Sequence, residues 1–172
     1  LGGDGTLLGV CRSANSKNMI FGVNLGHLGF ITEYSKLDFY DSLEEILKGK
    51  YQTYKKPLFE VNILDANKKI GKHFFINDMV IGKRDIARLV KLTIETHEDH
   101  IADIAGDGII VSSPTGSTAY SLAAGGPIVH PDVKAMIINP ICAHGLNHRP
   151  LVISEKTEVT IKQRKDAALT SL

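Results

Sequence analysis

Long apolar segments, an excess of either charge and a framework of cysteines are all missing from this 172-residue sequence. No apolar run approaches the 18 residues of a transmembrane helix and no leader precedes Leu1, so we expect neither a membrane partner nor a signal peptide. The formal net charge of +1 gives no broad basic face, so no nucleic-acid partner is expected. Cys11 and Cys142 lie far apart, which predicts two reduced thiols and a cytoplasmic location.

The composition is that of a globular protein with a sizeable core. Hydrophobic residues make up 43% and charged residues 23% of the chain, and both fractions are typical of folded domains. The length suits one ordinary domain or two small ones. Because the pattern of apolar residues changes near Tyr51, we expect a partial α/β domain carrying the GGDGT turn over residues 1–52 and a β-rich domain over residues 53–172.

Residues 1–52 alternate between helix and strand signals. The opening glycines predict a turn, and the apolar spacing in TLLGVCRSA predicts a helix after it. A run of strand formers over residues 19–26 predicts a buried strand, and FYDSLEEILKGK predicts a helix that stops at Gly49. Elements in this order fit half of an open, Rossmann-like α/β sheet.

Residues 53–172 alternate between apolar and polar residues in the way that strands do. The first two such segments flank a turn at Asn67 and predict a β-hairpin. Further strand candidates are separated at Gly106-Asp107-Gly108 and by later turns. We therefore expect antiparallel sheets in a β-sandwich-like domain.

Both ends of the chain lack the elements that should flank them. A glycine-rich turn normally follows a strand, yet no strand precedes Leu1. The β-rich segment VTIKQRKDAALTSL reaches the other terminus without a turn residue or a helix stop. We expect the sequence to be a fragment that is truncated at both ends.

The pentapeptide GGDGT is the first candidate site. Glycines let the backbone come close to a ligand, and successive N–H groups at a helix N-terminus form a site for phosphate. An acid beside phosphates is repulsive unless it holds Mg²⁺ or accepts a proton from a hydroxyl that attacks phosphorus, and both roles are open for Asp4. The structural alternative is that Asp4 caps the helix while the glycines serve only the turn.

The stretch GDGIIVSSPTGSTAYSLAAGGPIVHP is the second candidate site. A predicted strand leads into a turn rich in small hydroxyl residues, which we expect to face outward toward the polar groups of a nucleotide. Tyr120 is available there to cover a base or a ribose. The hydroxyl residues are Ser112, Ser113, Thr115, Ser117 and Thr118. The alternative is a serine- and threonine-rich turn that only caps a helix.

Two smaller features also bear on binding. Asn77 and Asp78 follow an apolar strand, and an amide beside a carboxylate can both donate to and accept from ribose hydroxyls, although a simple Asn-Asp turn explains the pair equally well. His144 follows a strand into a glycine turn, which suits a binding residue. His97 and His100 lack further ligands nearby, so no metal site is predicted.

The chain resembles the NAD kinase family in five segments that occur in the family's order. They are GGDGT, GVNLGHLGF, the Asn77-Asp78 pair, DGIIVSSPTGSTAYSLAAGGPIVHP and NPICAHGLNHRPLVIS. The resemblance implies phosphoryl transfer from ATP, or from inorganic polyphosphate, to the adenosine ribose 2′-hydroxyl of NAD, giving NADP. It also implies a divalent cation, expected to be Mg²⁺, and assembly into a homodimer or homotetramer.

The resemblance implies a role for each matching position. Asp4 matches the catalytic acid that activates the 2′-hydroxyl, Gly5 lies beside it, and Phe30 matches a position near the bound dinucleotide. The positions that match the adenosine-binding residues are Asn77, Asp78, Thr115, Thr118, Ala119 and Tyr120. The matches near the nicotinamide or the phosphates are Asp107, Ala123 and His144.

Two other functions compete with this interpretation. A lipid kinase of the diacylglycerol type carries a similar glycine-aspartate turn, but it needs an apolar groove, against which the polar PTGSTAY turn argues. A non-catalytic dinucleotide-binding module would bind NAD without making NADP, and the presence of Asp4 argues against it. The sequence leaves open the choice between ATP and polyphosphate and between NAD and NADH.

Overall fold

The chain forms two compact units, Leu1–Ile76 and Asn77–Leu172. A computed structural model describes them at residues 1–14, 17–26, 31–32, 34–83, 88–145 and 147–164. The domain boundary expected at residue 52 stays a prediction. Within the described ranges, no helix is both long and apolar enough to cross a membrane.

Two helices of the first unit lie where the sequence predicts them. Helix α1 covers Asp4–Ser13 and follows Gly3, its N-cap residue. Helix α2 covers Phe39–Leu47, and the chain leaves it through Gly49, whose φ of +77° favours glycine. Both helix predictions are confirmed.

The strand expected over residues 19–26 is much shorter in the structure. Strand β1 contains only Val23–Asn24 and pairs in parallel with β2, Tyr34–Ser35. A strand extends only as far as its backbone N–H and C=O groups find partners, and β2 supplies two residues. The predicted strand therefore exists, but its length was wrong.

The β-hairpin predicted around Asn67 is confirmed. Strand β3, Phe59–Asp65, pairs antiparallel with β4, Lys68–Phe75. Ala66 and Asn67 connect them with φ angles of 45° and 66°, the positive pair that a type I′ turn requires.

Two antiparallel sheets build the second unit. Their strands are β5 (Asp78–Gly82), β6 (Val90–Glu95), β7 (His100–Gly106), β8 (Gly108–Ser112), β9 (Ala135–Ile141), β10 (Leu151–Ser154) and β11 (Thr160–Gln163). One sheet has the strand order β10-β9-β8-β5 and the other the order β11-β6-β7. A 3-10 turn at Thr115–Thr118 and the one-turn helix α3 at Tyr120–Ala123 connect β8 to β9.

Both sheets contribute to one apolar core. Leu92 and Ile94 of β6 and Ile104 of β7 pack with Ile109 of β8 and Ile138 of β9, and all five are almost completely buried. Burial of branched aliphatic side chains between two sheets is the main stabilising contribution in such a layered fold. The expectation of layered antiparallel sheets is confirmed.

Candidate functional site

Asp4 is the first residue of α1, directly after the N-cap Gly3. The N-cap position is occupied by Gly3 and not by Asp4, and glycine has no side chain that could cap the helix. The structural alternative, in which Asp4 is the cap, is therefore wrong. Its half-buried carboxylate points instead to the segment that precedes β2.

Three hydrogen bonds fix one oxygen of the Asp4 carboxylate. Oδ1 accepts the backbone N–H of Ile31 at 3.3 Å, the backbone N–H of Thr32 at 3.0 Å and the Thr32 hydroxyl at 2.8 Å. Hydrogen bonds to a charged acceptor are stronger than bonds between neutral groups. The orientation of this acid is thus set by the protein before any ligand binds.

The Thr32 hydroxyl has its own buried partner. It accepts a hydrogen bond of 2.9 Å from the side-chain amide of Asn24, and Asn24 in turn accepts the backbone N–H of Gly26 at 2.8 Å. Asn24 and Thr32 are 4% and 1% exposed. A buried chain of hydrogen bonds therefore runs from β1 to Asp4.

The glycines around Asp4 differ in what requires them. Gly2 has a φ of +150°, and a Cβ there would lie 2.6 Å from the Thr6 hydroxyl oxygen, so the fold itself needs glycine. Among the described residues, a Cβ at Gly3 or Gly5 would meet no atom within 4 Å, and the Gly3 φ of −81° suits any residue. Neither glycine is required by a contact or by a backbone angle in this part of the chain, and both leave the backbone accessible to a ligand.

In the second unit, the start of β5 and the turn after β8 are joined by backbone hydrogen bonds. The Asn77 carbonyl oxygen accepts the backbone N–H of Ser113 at 2.8 Å and the Ser112 hydroxyl at 3.2 Å. Gly116 lies directly against this carbonyl, since a Cβ on it would be 2.0 Å from the oxygen. The structure thus brings the predicted Asn-Asp pair and the predicted hydroxyl-rich turn together.

The expectation that the small hydroxyls face outward is wrong for the three serines, and the Thr115 hydroxyl oxygen is buried as well. Ser112, Ser113 and Ser117 are completely buried. The Ser113 hydroxyl accepts the backbone N–H of Gly116 at 3.0 Å, and the Ser117 hydroxyl donates to the Pro114 carbonyl at 2.6 Å. A tight turn leaves backbone groups without partners, so these serines stabilise the turn instead of facing a ligand.

Two polar atoms of this region are buried without a hydrogen bond in the described part of the chain. They are Asn77 Oδ1 and Thr115 Oγ1. A buried polar group without a partner costs about 1–3 kcal/mol, and such groups are rare in native proteins. A ligand that donates to both would remove that cost.

Asp78 and Tyr120 are linked across the same region. Burial raises the pKa of the Asp78 carboxyl above its ordinary value, and the backbone N–H of Tyr120, which donates to it, opposes that rise. The Tyr120 side chain is 48% exposed. It is therefore accessible to a planar ring, as the sequence predicted.

Two further residues predicted for the adenosine, Thr118 and Ala119, and Ala123, predicted for the nicotinamide end, lie in or directly after the same turn. The Thr118 hydroxyl donates to the Thr115 carbonyl at 3.4 Å. Ala119, half-buried, separates the 3-10 turn from α3, and Ala123, exposed, ends that helix. Phe30 lies outside the residues that the structure describes.

Asp107 and His144 lie at the opposite end of β8 from this turn. The Asp107 carboxylate forms a 2.7 Å ion pair with Lys83, and the His144 backbone N–H donates to the Ala105 carbonyl at 2.8 Å. The five residues of β8 span about 17 Å. Within this unit the structure does not bring Asp107 and His144 to the turn, and their roles stay predictions.

A cleft of about 370 Å³ lies near the end of β9, and none of the predicted site residues lines it. Its polar side chains are Asn139, Cys142, His148 and Arg149. Asn139 donates at 2.9 Å to the Ser121 carbonyl and thereby anchors α3. This cleft thus lies beside, and not in, the turn that carries Thr115.

The sequence did not indicate Thr32, Asn24 or Lys83. Thr32 contacts an acid 28 positions earlier, and no local motif reports a hydrogen bond over that separation. Lys83 pairs with Asp107, which lies 24 positions later, and no local motif reports that ion pair either. A dense cluster of serines and glycines did signal the turn, but not which hydroxyls are buried in it.

Two family models match the chain. The ATP-NAD kinase N-terminal domain matches residues 1–51 and the ATP-NAD kinase C-terminal domain matches residues 76–171. An NAD kinase from Desulforamulus reducens is 44% identical over 94% of this chain and 56% of its own length. One from Geotalea daltonii is 42% identical over 94% of this chain and 57% of its own length. The chain thus spans a little over half the length of these curated relatives.

Solved structures give the same match in fold. Yeast NADH kinase complexed with NADH superposes with a TM-score of 0.87 and 28% identity, over 94% of this chain and 48% of that one. An NAD kinase from Archaeoglobus fulgidus in complex with ATP gives a TM-score of 0.76 and 24% identity, over 94% and 62%. The predicted class, a partial α/β part followed by a β-rich part, is confirmed.

Proposed function

Because this chain belongs to the NAD kinase family, we propose that its protein transfers a phosphoryl group to the adenosine ribose 2′-hydroxyl of NAD and so makes NADP. The observation that carries the proposal is the Asp4 carboxylate, held by three donors at the start of a helix. The same helix end has a favourable field for phosphate. An acid fixed beside a phosphate site is suited to take a proton from an attacking hydroxyl.

The second unit supports binding of the adenosine. Among the described residues, the Asn77 amide oxygen and the Thr115 hydroxyl oxygen have no hydrogen-bond partner, and an adenosine offers amino and hydroxyl groups that could donate to both. Asp78 would accept a ribose hydroxyl, and Tyr120 would cover a ring. Thr118 and Ala119 would line the same surface, and Gly5, Phe30, Asp107, Ala123 and His144 keep the roles that the resemblance implies.

The proposed reaction needs only one proton acceptor. The ribose 2′-oxygen forms a bond to the terminal phosphorus of the donor while the bond from that phosphorus to the bridging oxygen breaks. Asp4 takes the hydroxyl proton. The bridging oxygen, which stays on the remaining part of the donor, takes the electron pair of the broken bond. Phosphoryl transfer depends mainly on positioning and on neutralising charge, so the chain needs no larger catalytic set.

A divalent cation fits this arrangement as a companion of the donor. In the described ranges no group of three or more His, Cys, Asp or Glu side chains could hold a metal ion. Mg²⁺ is commonly held by substrate phosphates, water and one or two carboxylates. The cation would neutralise charge on the donor's phosphates, and Asp4 is the carboxylate at the proposed phosphate site.

We propose ATP or polyphosphate as the donor, a homodimer or homotetramer as the assembly and the cytoplasm as the location. The family resemblance supports these expectations. Neither competing function, a lipid kinase or a non-catalytic module, gains support from the comparisons with known proteins.

The decisive experiment uses the full-length protein with NAD and either ATP or polyphosphate, and detects NADP with an NADP-specific dehydrogenase. We expect NADP with at least one donor. Diacylglycerol with labelled ATP serves as the control substrate, and no lipid product is expected. NAD binding by calorimetry without any NADP would instead establish the non-catalytic module.

Changing Gly5 to alanine should separate stability from activity. Alanine favours helix over glycine by up to about 1 kcal/mol, and its methyl group meets no atom of the described residues, so the variant should be at least as stable. The methyl would occupy the space proposed for phosphate and lower kcat/KM about tenfold or more, since small misplacements of reacting groups have large effects.

Gly9→Ala is the matched control for this change. Gly9 lies in the same helix, and a Cβ there also meets no atom within 4 Å in the part of the chain that the structure describes. It should gain similar helix stability, measured by urea unfolding, with unchanged kinetics. Equal activity of the Gly5 and Gly9 variants would contradict a phosphate site at Gly5.

A further inference from the structure

We propose that Thr32 and Asn24 are positioning residues for the base, and that they orient Asp4 for the 2′-hydroxyl before substrate binds. The inference rests on the proposed function, and it adds two residues that do not touch the substrate. The hydroxyl and the backbone N–H of Thr32 both donate to Asp4 Oδ1, at 2.8 and 3.0 Å. Because the backbone N–H and the hydroxyl of one residue both donate to this oxygen, the carboxylate cannot rotate away from Thr32 without losing both bonds.

In the series of hydrogen bonds from Gly26 through Asn24 and Thr32 to Asp4, each bond determines which group donates in the next one. Asn24 Oδ1 accepts the N–H of Gly26, which turns the amide nitrogen of Asn24 toward Thr32 Oγ1. Because Thr32 Oγ1 accepts that bond, the hydroxyl proton of Thr32 is left to donate to Asp4. Asp4 Oδ1 therefore acts only as an acceptor, and it is not the oxygen that carries a proton.

Packing holds the chain of hydrogen bonds in place. Asn24 and Thr32 are almost completely buried, so water cannot replace a lost partner there and its loss is costly. The methyl group of Thr32 lies against Gly22, where a Cβ would be 3.4 Å from it. The Thr32 side chain is thus fixed by packing on one side and by hydrogen bonds on the other, as an orienting group should be.

If these hydrogen bonds served only to hold α1 against the segment that precedes β2, any pair of polar groups would be sufficient. Here all three donors converge on one oxygen of the only acid in the GGDGT turn. That convergence fixes the plane in which the second oxygen of the same carboxylate lies. The arrangement serves proton transfer, for which a displacement of about 1 Å can cost 10²-fold in rate.

The first test compares Thr32→Val with Thr32→Ser in the full-length protein. Valine keeps the shape and the backbone N–H but removes the hydroxyl, so kcat should fall by about 10- to 100-fold, with the KM for NAD and calorimetric NAD binding unchanged. Serine restores the hydroxyl and should recover most of kcat. Thr53→Val, an exposed position of the same unit, should behave as the unmodified protein.

The second test asks whether Thr32 acts through Asp4. If it does, the double variant Asp4→Asn with Thr32→Val should be no slower than Asp4→Asn alone. Asn24→Asp keeps the side-chain size but would accept the Thr32 proton, and it should lower kcat with NAD binding retained. This variant also serves if Thr32→Val fails to fold.

The outcomes distinguish the two proposals. The positioning role would be overturned if Thr32→Val or Asn24→Asp had the kcat of the unmodified protein. It would also be overturned if the losses in kcat multiplied in the double variant. Neither result would contradict the proposed NAD kinase activity. Failure of the unmodified protein to make NADP would overturn the proposed function, and the positioning role with it.

Discussion

Replacing Asp4 by asparagine should slow NADP formation by about 10²–10⁴-fold, the usual contribution of a general base. Asparagine has almost the same size, and its side-chain oxygen can still accept the bonds from Ile31 and Thr32 that hold the carboxylate now. The local structure should therefore persist while the proton acceptor is lost. Calorimetry should show NAD affinity within a few-fold of the unmodified protein.

Asp41→Asn is the matched control for this substitution. Asp41 is an exposed acid in the first turn of α2, and so it has the same chemistry at a comparable position in a second helix. Its loss should leave kcat unchanged. Turnover of Asp4→Asn within a few-fold of the unmodified enzyme would refute the role of Asp4 as the base.

Changing Gly116 to alanine should disrupt the proposed adenosine site. The new methyl carbon would lie 2.0 Å from the Asn77 carbonyl oxygen and 2.6 Å from the Asn77 Cα, so backbone atoms must move. That carbonyl also accepts the N–H of Ser113, and the movement would break the hydrogen bond. Forced overpacking of this kind costs about 1–3 kcal/mol, or more where backbone is involved.

Urea unfolding and NAD calorimetry measure the two consequences for Gly116→Ala. The free energy of unfolding should fall by at least about 1 kcal/mol, and NAD binding should weaken strongly because the two sides of the site separate. Gly82→Ala is the control, since its methyl would come no closer than 3.9 Å to another residue. Unchanged NAD affinity in Gly116→Ala would show that the ligand does not use this turn.

Local patterns were sufficient to predict most elements of the fold. Helices α1 and α2 and the hairpin at Asn67 depend on spacing and turn residues within a dozen positions. The alternation of the later strands likewise predicted antiparallel sheets, because a strand with one buried face needs period two. The strand at residues 19–26 was predicted too long because its length depends on the two residues of β2 that pair with it and not on its own composition.

The sequence predicted that the Asn-Asp pair and the hydroxyl-rich turn belong to the candidate site, and the structure brings these two segments together, but the arrangement of their side chains was not predictable. Ser112 and Ser113 belong to the turn as expected, but whether a hydroxyl faces a ligand or the backbone is decided by tertiary packing. Thr32 could not be assigned to Asp4 without the fold, because the two residues meet only after α1 and β1 are in place. A motif predicts the chemistry of a segment and not its partners.

The half-buried carboxyl of Asp78 makes the stability of the second unit depend on pH. Its pKa in the folded chain is above the ordinary value of 3.8, so between these two values the folded state binds more protons than the unfolded state. The contribution of Asp78 to the free energy of unfolding is therefore largest at pH values below the ordinary pKa. It is lost as the pH rises through the pKa that Asp78 has in the folded chain. A ribose that donates its hydroxyl to the ionised carboxylate would therefore bind with release of a proton wherever Asp78 is still protonated.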